Sequence, residues 1–292
     1  MKDFDYSAPV SVEEATTLLA KHGDQARMLA GGTDIIVQLR EGLRDAEMVI
    51  DIKKIPELMA IDYSAESGLT LGAGVPCYQV YENEEVSAAY PALADSTRII
   101  GGWQIQTRAS VGGNLCNSSP AADTIPALIS LAASCRIAGP DGERDVAVVD
   151  FCTGPGQNVL EAGELLVSIQ LPPSAAHSGS AYERFIPRNE MDIAVAGAGS
   201  WVQLDESGST IQEARISLAA VGPTPLVAQQ AADSLAGQEA SEENLAAAGD
   251  LAREVASPIN DMRGTIEYRV HLVGVLVKRT LAQAVARARG ES

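Results

Sequence analysis

The sequence predicts an α+β fold in two parts that meet near residue 175. Before residue 172, short apolar strand patterns alternate with helical patterns, and beyond residue 180 three strand patterns precede three helical ones. Between these regions, Pro172 and Pro173 are followed by the small, polar run 174–180, which is typical of a linker. The chain has 292 residues, of which 46% are hydrophobic, so it is long enough to form two ordinary domains.

The first part begins with a capped helix. Ser11 and Glu14 form a capping box, which predicts a helix from Ser11 to about Lys21 that ends at Gly23. Asp34 is expected to cap the next helix. The remaining predicted elements are strands 26–29, 48–51, 59–62, 69–72, 134–138, 144–149 and 164–171 and helices 35–41, 77–88, 92–100 and 123–133.

The second part is predicted as a strand meander followed by helices. Asp205-Glu-Ser-Gly208 is expected to form a hairpin turn, and Gly197-Ala-Gly199 to allow close packing of strands. Ser241 is expected to open the middle helix, and Pro258 follows its end. The predicted strands are 181–186, 193–204 and 209–221, and the predicted helices are 225–235, 242–255 and 265–289.

Charge and composition exclude several classes of function. The net charge of −18 argues against a nucleic-acid partner or an anionic membrane surface. The start of the chain does not resemble a signal peptide, and no apolar run approaches the roughly 18–20 residues of a membrane span, so we expect a cytoplasmic protein. The four cysteines (Cys77, Cys116, Cys135, Cys152) form no C-x-x-C, and the three histidines are far apart. We therefore expect neither a metal site nor a catalytic constellation on this chain.

Two glycine-rich stretches predict a site for an extended anion. We call residues 29–35, LAGGTDI, the first glycine segment and residues 109–114, ASVGGN, the second glycine segment. Glycine allows close approach, and consecutive amides can form a nest for a pyrophosphate. We expect Gly112 and Gly113 to form a turn ahead of a helix. The chain has neither a G-x-G-x-x-G after a strand nor a P-loop, which argues against those nucleotide sites.

Five stretches together resemble one protein family. They are AGGTD at 30–34, TRASVGGNLCNSSPAADTIPAL at 107–128, GELLVSIQLP at 163–172, RNEMDIAVAGA at 188–198 and RGTIEYRVHLVGVLVKR at 263–279. In order and spacing they resemble the FAD-binding (medium) subunit of the molybdenum hydroxylases, a family that includes bacterial xanthine dehydrogenases and the carbon monoxide dehydrogenase flavoprotein. The resemblance covers nearly the whole chain.

The resemblance implies a particular version of the two-part fold. Residues 1–175 would form a vanillyl-alcohol-oxidase-type (PCMH-type) FAD-binding domain, in lobes of about 1–53 and 54–175. Residues 176–292 would form a domain like the C-terminal domain of the carbon monoxide dehydrogenase flavoprotein, a small sheet with a helical bundle. The linker inferred from residues 172–180 falls at that boundary.

The resemblance also implies which residues bind FAD. Amides of both glycine segments would hold the pyrophosphate, with the Thr33 hydroxyl adding a contact. Asp123 would contact the sugar portion and Leu166 would line the adenine or flavin wall, unless Leu166 is only a core residue. Ile193 would cover the isoalloxazine face and Asp192 its pyrimidine end, unless Arg188 and Asp192 form only an ion pair. The implied cofactor-binding residues are Leu29, Ala30, Gly31, Gly32, Thr33, Asp34, Ile35, Ala109, Ser110, Val111, Gly112, Gly113, Asn114, Asp123, Leu166, Arg188, Asp192 and Ile193.

The implied activity is electron transfer within a complex. A molybdopterin-binding large subunit would oxidise the substrate, a small subunit with [2Fe–2S] clusters would pass electrons to FAD on this chain, and NAD, oxygen or another acceptor would receive them. The family implies a dimer of heterotrimers. Two alternatives stay open at this point, a self-sufficient FAD oxidase of the same fold and a flavin-free assembly subunit. Cys116 lies where the family often has a small residue, and we expect a buried thiol beside the cofactor, with an oxidisable one as the alternative.

Overall fold

The computed structural model describes residues 2–291, and its N-terminal lobe is a small parallel sheet with two helices. The third strand lies between the first two and runs parallel to both. The elements are β1 (Asp5–Ser7), α1 (Val12–His22), β2 (Ala26–Leu29), α2 (Ile35–Arg40) and β3 (Met48–Asp51). The predicted strands 26–29 and 48–51 are confirmed.

The cap of α1 by Ser11 is confirmed, and Glu14 reaches back as predicted, although to the amide before the N-cap residue. Ser11 Oγ accepts a hydrogen bond of 3.2 Å from the Glu14 amide, and Glu14 Oε2 accepts one of 3.0 Å from the Val10 amide. Gly23 ends the helix with a φ of +50° and donates its N–H to Leu19 O. These local bonds satisfy amides and carbonyls at the helix ends, which is why the sequence predicted both boundaries.

The prediction that Asp34 caps α2 is wrong. An N-cap needs extended backbone so that its side chain can turn back to the first helical amides. Asp34 has helical angles instead, with φ −104° and ψ −54°, and makes no side-chain capping bond. The Ile36 amide donates to Gly32 O, so the turn tightens through backbone alone.

The second lobe is built on a five-stranded antiparallel sheet whose strands, in spatial order, are β4 (Ile61–Ser64), β5 (Gly68–Gly72), β10 (Leu165–Leu171), β6 (Ser134–Gly139) and β7 (Gly142–Ala147). Helices follow β5 and cover the sheet, and a two-stranded ribbon precedes β10. Its elements are β4 (Ile61–Ser64), β5 (Gly68–Gly72), α3 (Cys77–Glu82), α4 (Glu84–Ala89), α5 (Pro91–Thr97), α6 (Trp103–Gln106), α7 (Val111–Asn117), α8 (Thr124–Ser130), β6 (Ser134–Gly139), β7 (Gly142–Ala147), α9 (Val148–Phe151), β8 (Cys152–Gly154), β9 (Gln157–Asn158) and β10 (Leu165–Leu171).

Several predicted elements of this lobe differ from the structure. The strand predicted at 144–149 ends at Ala147, because Val148–Phe151 forms α9, and the helices predicted at 92–100 and 123–133 end at Thr97 and Ser130. Two further differences have a local cause. The single helix predicted at 77–88 is broken at Asn83, whose extended backbone lets its side chain accept from the Val86 amide and open α4. The strand predicted at 59–62 begins at Ile61, because Pro56–Met59 forms a 3-10 turn. In both places a local cap or proline overrides the apolar periodicity.

The C-terminal part contains a four-stranded antiparallel sheet, covered by helices, and the predicted meander is confirmed. The hairpin turn at 205–208 is also confirmed, since Gly208 N donates to Asp205 O at 2.9 Å. Ser241 caps its helix through a bond of 3.3 Å from the Asn244 amide. The elements are β11 (Ser178–Phe185), β12 (Ala196–Leu204), β13 (Ile211–Ala219), β14 (Leu226–Val227), α10 (Gln229–Asp233), α11 (Glu242–Ala252) and α12 (Ile266–Ala288).

The helix predicted at 225–235 is shorter than expected. Leu226 and Val227 pair with Leu218 and Ser217 of β13, so the start of this segment extends the sheet as β14. Helix α10 begins only at Gln229. Pairing with an existing strand edge satisfies backbone groups that a short helix would leave unbonded.

Close packing at Gly197 and Gly199 is observed, although only part of it involves strands. A Cβ on Gly197 would lie 2.7 Å from the Tyr182 hydroxyl of β11, and one on Gly199 would lie 2.8 Å from Pro126 O of α8. Helix α8 of the second lobe therefore lies directly on β12. The apolar cluster of the second lobe also includes Tyr182 and Trp201 from the C-terminal sheet.

Helices α11 and α12 cross at two glycines, which leads to a stability prediction. A Cβ on Gly249 would lie 2.7 Å from Gly274 O, so Gly249→Ala must separate the helices. An unobstructed Gly→Ala change inside a helix stabilises by about 1 kcal/mol, whereas overpacking costs about 1–3 kcal/mol. The difference between these two effects is a fall of up to about 2 kcal/mol in the free energy of unfolding, measured by urea denaturation. The exposed control Ala247→Ser should stay within about 0.5 kcal/mol, and a stabilised Gly249→Ala variant would contradict the prediction.

All four cysteines are free, and Cys77 and Cys135 are buried. Within residues 2–291, no three or more His, Cys, Asp or Glu side chains are grouped so that they could hold a metal ion. No helix in that range is long and apolar enough to cross a membrane.

Candidate functional site

The two glycine segments lie against each other. A Cβ on Gly31 would overlap the carbonyl oxygen of Arg108 and lie 2.9 Å from Ala109 N, so only a glycine permits this approach. The chain thus brings together two segments that are far apart in sequence. Residue 108 immediately precedes the second glycine segment, and its guanidinium Nε donates to Gly31 O at 3.4 Å.

The first glycine segment presents a run of backbone donors. It leaves β2 at Leu29 and turns at Gly32, whose φ of +79° lies in the left-handed region that glycine tolerates. Within residues 2–291, no protein acceptor takes a hydrogen bond from the amides of residues 31–35. The segment is half-buried at Thr33 and Ile35 and exposed at Asp34. Unpaired consecutive amides of this kind fit a phosphate or pyrophosphate.

The second glycine segment begins a helix, which corrects the expectation of a turn ahead of one. Ser110 is buried and caps α7, with its Oγ accepting from Gly113 N at 3.0 Å. Gly112 and Gly113 therefore form the first turn of α7. A Cβ on Gly112 would lie 2.5 Å from Ala73 O, so Gly112 packs on the turn after β5. The capping serine was the signal for this helix start.

Asn114 links α7 to the start of α8. Its Oδ1 accepts from the Thr124 hydroxyl at 2.6 Å and from the Thr124 amide at 3.3 Å. The neighbouring Asp123 is buried, with 6% of its surface exposed. These contacts fix the second glycine segment against α8 rather than leaving it as a free loop.

Asp123 forms a buried network with two side chains of β11. One carboxylate oxygen accepts from the Tyr182 hydroxyl at 2.9 Å and the other is ion-paired with Arg184, whose Nη2 donates to Ile99 O at 2.7 Å. Burial raises the pKa of Asp123 to about 6, against the opposing effects of Arg184 and Tyr182. Tyr182 and Arg184 lie two residues apart on one face of a strand, and this spacing is visible in the sequence. The spacing does not show, however, that both side chains contact Asp123.

Two positively charged side chains at the first glycine segment, Lys53 and Arg108, were not among the residues predicted from the sequence. Lys53 Nζ donates to Ala30 O at 2.9 Å, and Arg108 approaches the next carbonyl. Lys53 lies in the 3-10 turn Ile52–Lys54 that follows β3, and only the pairing of β3 with β2 brings it to the segment. The sequence offered no signal for this placement.

The segment 188–193 lies at a second edge of the site. Arg188 and Asp192 form an ion pair with Nε and Oδ2 3.5 Å apart, and Arg263 Nε lies 4.0 Å from Asp192 Oδ1. Ile193 is half exposed, at 50%. The Met191 amide donates to Gly101 O at 3.3 Å, so residues 101–109 run from this segment to the first glycine segment.

A cleft of about 390 Å³ lies between Ile99 and residues 182–189, next to this segment. Arg184 and Arg188 both line it. Leu166, by contrast, is only 4% exposed and packs in the apolar cluster of the second lobe. Its packing role is therefore evident, and contact with a cofactor stays a prediction.

Cys116 is half-buried on α7 and its thiol is not activated. Burial, together with the smaller effect of the nearby Cys152, raises its pKa to about 12. A protonated thiol is a poor nucleophile and oxidises slowly. The electrostatics therefore favour a structural role for Cys116 over an oxidisable one.

The comparisons with known proteins cover the whole chain. Residues 2–174 match the family model described as the FAD binding domain in molybdopterin dehydrogenase, and residues 180–284 match that of the CO dehydrogenase flavoprotein C-terminal domain. The carbon monoxide dehydrogenase medium chain of Hydrogenophaga pseudoflava is 34% identical over 97% of this chain and 98% of its own length. A putative xanthine dehydrogenase FAD-binding subunit of Escherichia coli is 31% identical over 100% of this chain and 99% of its own.

Solved structures agree with these relatives. Carbon monoxide dehydrogenase from Hydrogenophaga pseudoflava superimposes with a TM-score of 0.93 at 33% identity, covering 98% of each chain. Quinoline 2-oxidoreductase from Pseudomonas putida gives a TM-score of 0.90 at 29% identity, covering 100% of this chain and 99% of that one. The fold prediction of an FAD-binding domain followed by a C-terminal α+β domain is thereby confirmed. This chain belongs to the FAD-binding medium subunits of the molybdenum hydroxylases, and it is an FAD-binding oxidoreductase subunit.

Proposed function

We propose that this chain takes electrons from the [2Fe–2S] clusters of a small partner subunit and passes them, through FAD, to NAD or another acceptor. A molybdopterin-binding large subunit would oxidise the substrate, and the whole would form a dimer of heterotrimers. The proposal is supported by relatives named as medium chains or FAD-binding subunits of dehydrogenases, which this chain matches over nearly its full length.

The proposed cofactor site is based on one observation, which is the contact between the two glycine segments. The first presents amides without protein acceptors, and Gly31 packs on the backbone just before the second. We propose that both segments hold the FAD pyrophosphate, that Asp123 lies at the sugar, and that Leu166 lines the cofactor from within the core. Arg188, Asp192 and Ile193 would then flank the flavin ring beside the cleft at residues 182–189.

We also propose a domain division at about residue 175, with an FAD-binding domain of residues 1–175 in lobes of about 1–53 and 54–175, and a C-terminal domain of residues 176–292. Its support is the separate sheets on either side of the linker and the family matches that end at 174 and begin at 180. The C-terminal part would still complete the site, because β11 supplies both partners of Asp123.

Bound FAD supplies the redox chemistry, since a flavin can exchange electrons singly or in pairs. The residues of this chain bind and orient it. The amides of the first glycine segment offer donors to a dianionic group, and Lys53 and Arg108 add positive charge in a chain whose net charge is −18. Electron transfer of this kind requires no general base, so the role of the chain is positioning and electrostatics.

The visible spectrum of the purified chain, followed by mixing with NADH without oxygen, tests this function. Two flavin absorption bands, with FAD rather than FMN in the supernatant after heat release, are expected. Bleaching of those bands by NADH is expected if NAD is the acceptor, whereas a flavin that NADH leaves oxidised would assign the acceptor elsewhere. A colourless chain that takes up no added FAD would overturn the proposed site.

The charge of Asp192 is expected to lower the midpoint potential of bound FAD, because a carboxylate near the flavin opposes added negative charge. Asp192→Ala should raise that potential by about 30 mV, or about 1.4 kcal/mol for a two-electron couple. The shift is modest because Arg188 and Arg263 lie close to the carboxylate. Spectroelectrochemical titration would measure it.

The matched control is Glu206→Ala, which removes the same charge from the hairpin at the opposite end of β12. The midpoint potential of FAD bound to this variant should equal that of FAD bound to the unmodified chain. Equal potentials for both variants would place Asp192 away from the flavin ring.

A further inference from the structure

We propose that Lys53 is a positioning residue for the first glycine segment, held in place by Asp51 and Tyr6. It would fix the peptide that joins Ala30 to Gly31 so that the following amides face the FAD pyrophosphate. The inference rests on the proposed function, specifically on the pyrophosphate lying at this segment.

The Lys53 ammonium makes two short contacts. Nζ lies 2.9 Å from Ala30 O and 2.6 Å from Asp51 Oδ1. The side chains of Lys53 and Asp51 are 32% and 12% exposed, so both are partly withdrawn from water. A charge-assisted bond to a carbonyl in such surroundings is stronger than a neutral one.

Asp51 is itself held by further donors. Its Oδ1 also accepts from the Lys53 amide at 3.0 Å, and its Oδ2 accepts from the Tyr6 hydroxyl at 2.8 Å. Burial alone would raise the pKa of Asp51, but hydrogen bonds from Lys53 and Tyr6 lower it on balance. The carboxylate therefore stays ionised near neutral pH, and the ammonium has a fixed partner.

Because the peptide bonds are trans, these contacts to carbonyl oxygens also fix the direction of the neighbouring N–H groups. Carbonyl and N–H point in opposite directions across the peptide plane, and the described chain has no cis peptide. Because Lys53 attracts Ala30 O, the Gly31 N–H points away from Lys53. Arg108 Nε lies 3.4 Å from Gly31 O, so the Gly32 N–H points away from Arg108 in the same manner. Lys53 and Arg108 thus hold two successive carbonyls, and the N–H group on the other side of each peptide is left free to bind an anion.

Electrostatics supports the same role. The chain carries a net charge of −18, so a pyrophosphate approaches a predominantly negative molecule. Lys53 holds the loop and also contributes positive charge beside it. Preorganised donors bind an anion more tightly than donors that must first be ordered.

The test measures binding of FAD to the full chain after the cofactor has been removed. We expect Lys53→Met to weaken FAD binding about 10-fold to 100-fold, the range for a lost charged hydrogen bond. ADP, which carries the pyrophosphate without the flavin, should lose affinity by a similar factor in competition with FAD. Riboflavin, which lacks the pyrophosphate, should change by less than about 3-fold, because a positioning role does not affect it. Lys53→Arg should restore part of the affinity.

The matched control is Lys54→Met, which removes the same charge from an exposed neighbour. It should change FAD affinity by less than about 2-fold. If Lys53→Met behaves like Lys54→Met, or weakens riboflavin as much as FAD, the positioning role is wrong.

A separate variant distinguishes this failure from failure of the proposed site. Gly32→Ala forces a side chain into a left-handed residue, with its Cβ 2.7 Å from Ile36 Cδ1, and distorts the segment without touching Lys53. If Gly32→Ala loses FAD and Lys53→Met does not, only the Lys53 inference fails. If neither variant loses FAD, the pyrophosphate does not lie at the first glycine segment and the proposed site fails as well.

Discussion

Gly31→Ala is expected to abolish FAD binding, with a loss of affinity of at least about 100-fold, or about 3 kcal/mol. The new Cβ would overlap the Arg108 carbonyl oxygen, which is a backbone atom and cannot rotate away. The two glycine segments must then separate, which disrupts the proposed pyrophosphate site. The free energy of unfolding should fall by about 1–3 kcal/mol, as for other overpacked sites.

Fluorescence titration with FAD and urea unfolding would measure the two effects. The control is Gly42→Ala, which places a Cβ at a φ of +72° with no atom within 4 Å. It should cost about 1–2 kcal/mol of stability through backbone strain and leave FAD affinity unchanged. Native affinity in Gly31→Ala would mean that contact between the two segments is not needed for binding.

Arg184→Met is expected to lower the free energy of unfolding by about 3–5 kcal/mol at pH 8, the cost of breaking a buried ion pair. The side chains of Arg184 and Asp123 are 6% and 8% exposed, so solvent does not replace the lost partner. Arg184 also holds Ile99 O at 2.7 Å. Urea unfolding of the FAD-free chain would measure the loss without a contribution from bound cofactor.

The loss should depend on pH. Burial raises the pKa of Asp123 to about 6 even with Arg184 present. A carboxyl group whose pKa is raised by folding is protonated more readily in the folded state, so stability falls as pH rises from about 4 towards the folded pKa. In the unmodified chain this fall ends near pH 6. Without Arg184 the pKa rises further, so the stability of the variant should continue to fall between pH 6 and 8.

The control for this prediction is Arg136→Met. Arg136 pairs with Asp145 and Glu143 at the surface, where the three side chains are 34%, 48% and 59% exposed. An exposed pair contributes about 0–1 kcal/mol, so this variant should be nearly as stable as the unmodified chain. If Arg184→Met loses no more stability than Arg136→Met, or shows no added pH dependence, the network around Asp123 does not stabilise the fold.

Much of the local structure could be predicted because it depends on neighbouring residues. Ser11 and Ser241 cap helices through bonds to amides three residues ahead, and the Asp205–Gly208 hairpin closes within four residues. The Asp34 cap failed because the backbone angle of that residue is helical, which its identity did not reveal. The helix start at Ser110 was missed although a capping serine was present, because the paired glycines were interpreted as a turn.

The candidate site also has features that could be predicted from the sequence and features that could not. The two glycine-rich segments could be recognised in the sequence, and the order and spacing of five stretches indicated the family and FAD. Three contacts became visible only in the folded chain, where Gly31 packs on the Arg108 backbone, Lys53 contacts Ala30, and Arg184 pairs with Asp123. Each of these contacts joins segments that are at least 23 residues apart in sequence, and no periodicity or local motif encodes which segments will pack together. Their position depends on burial of the apolar clusters that hold the sheets and helices in place.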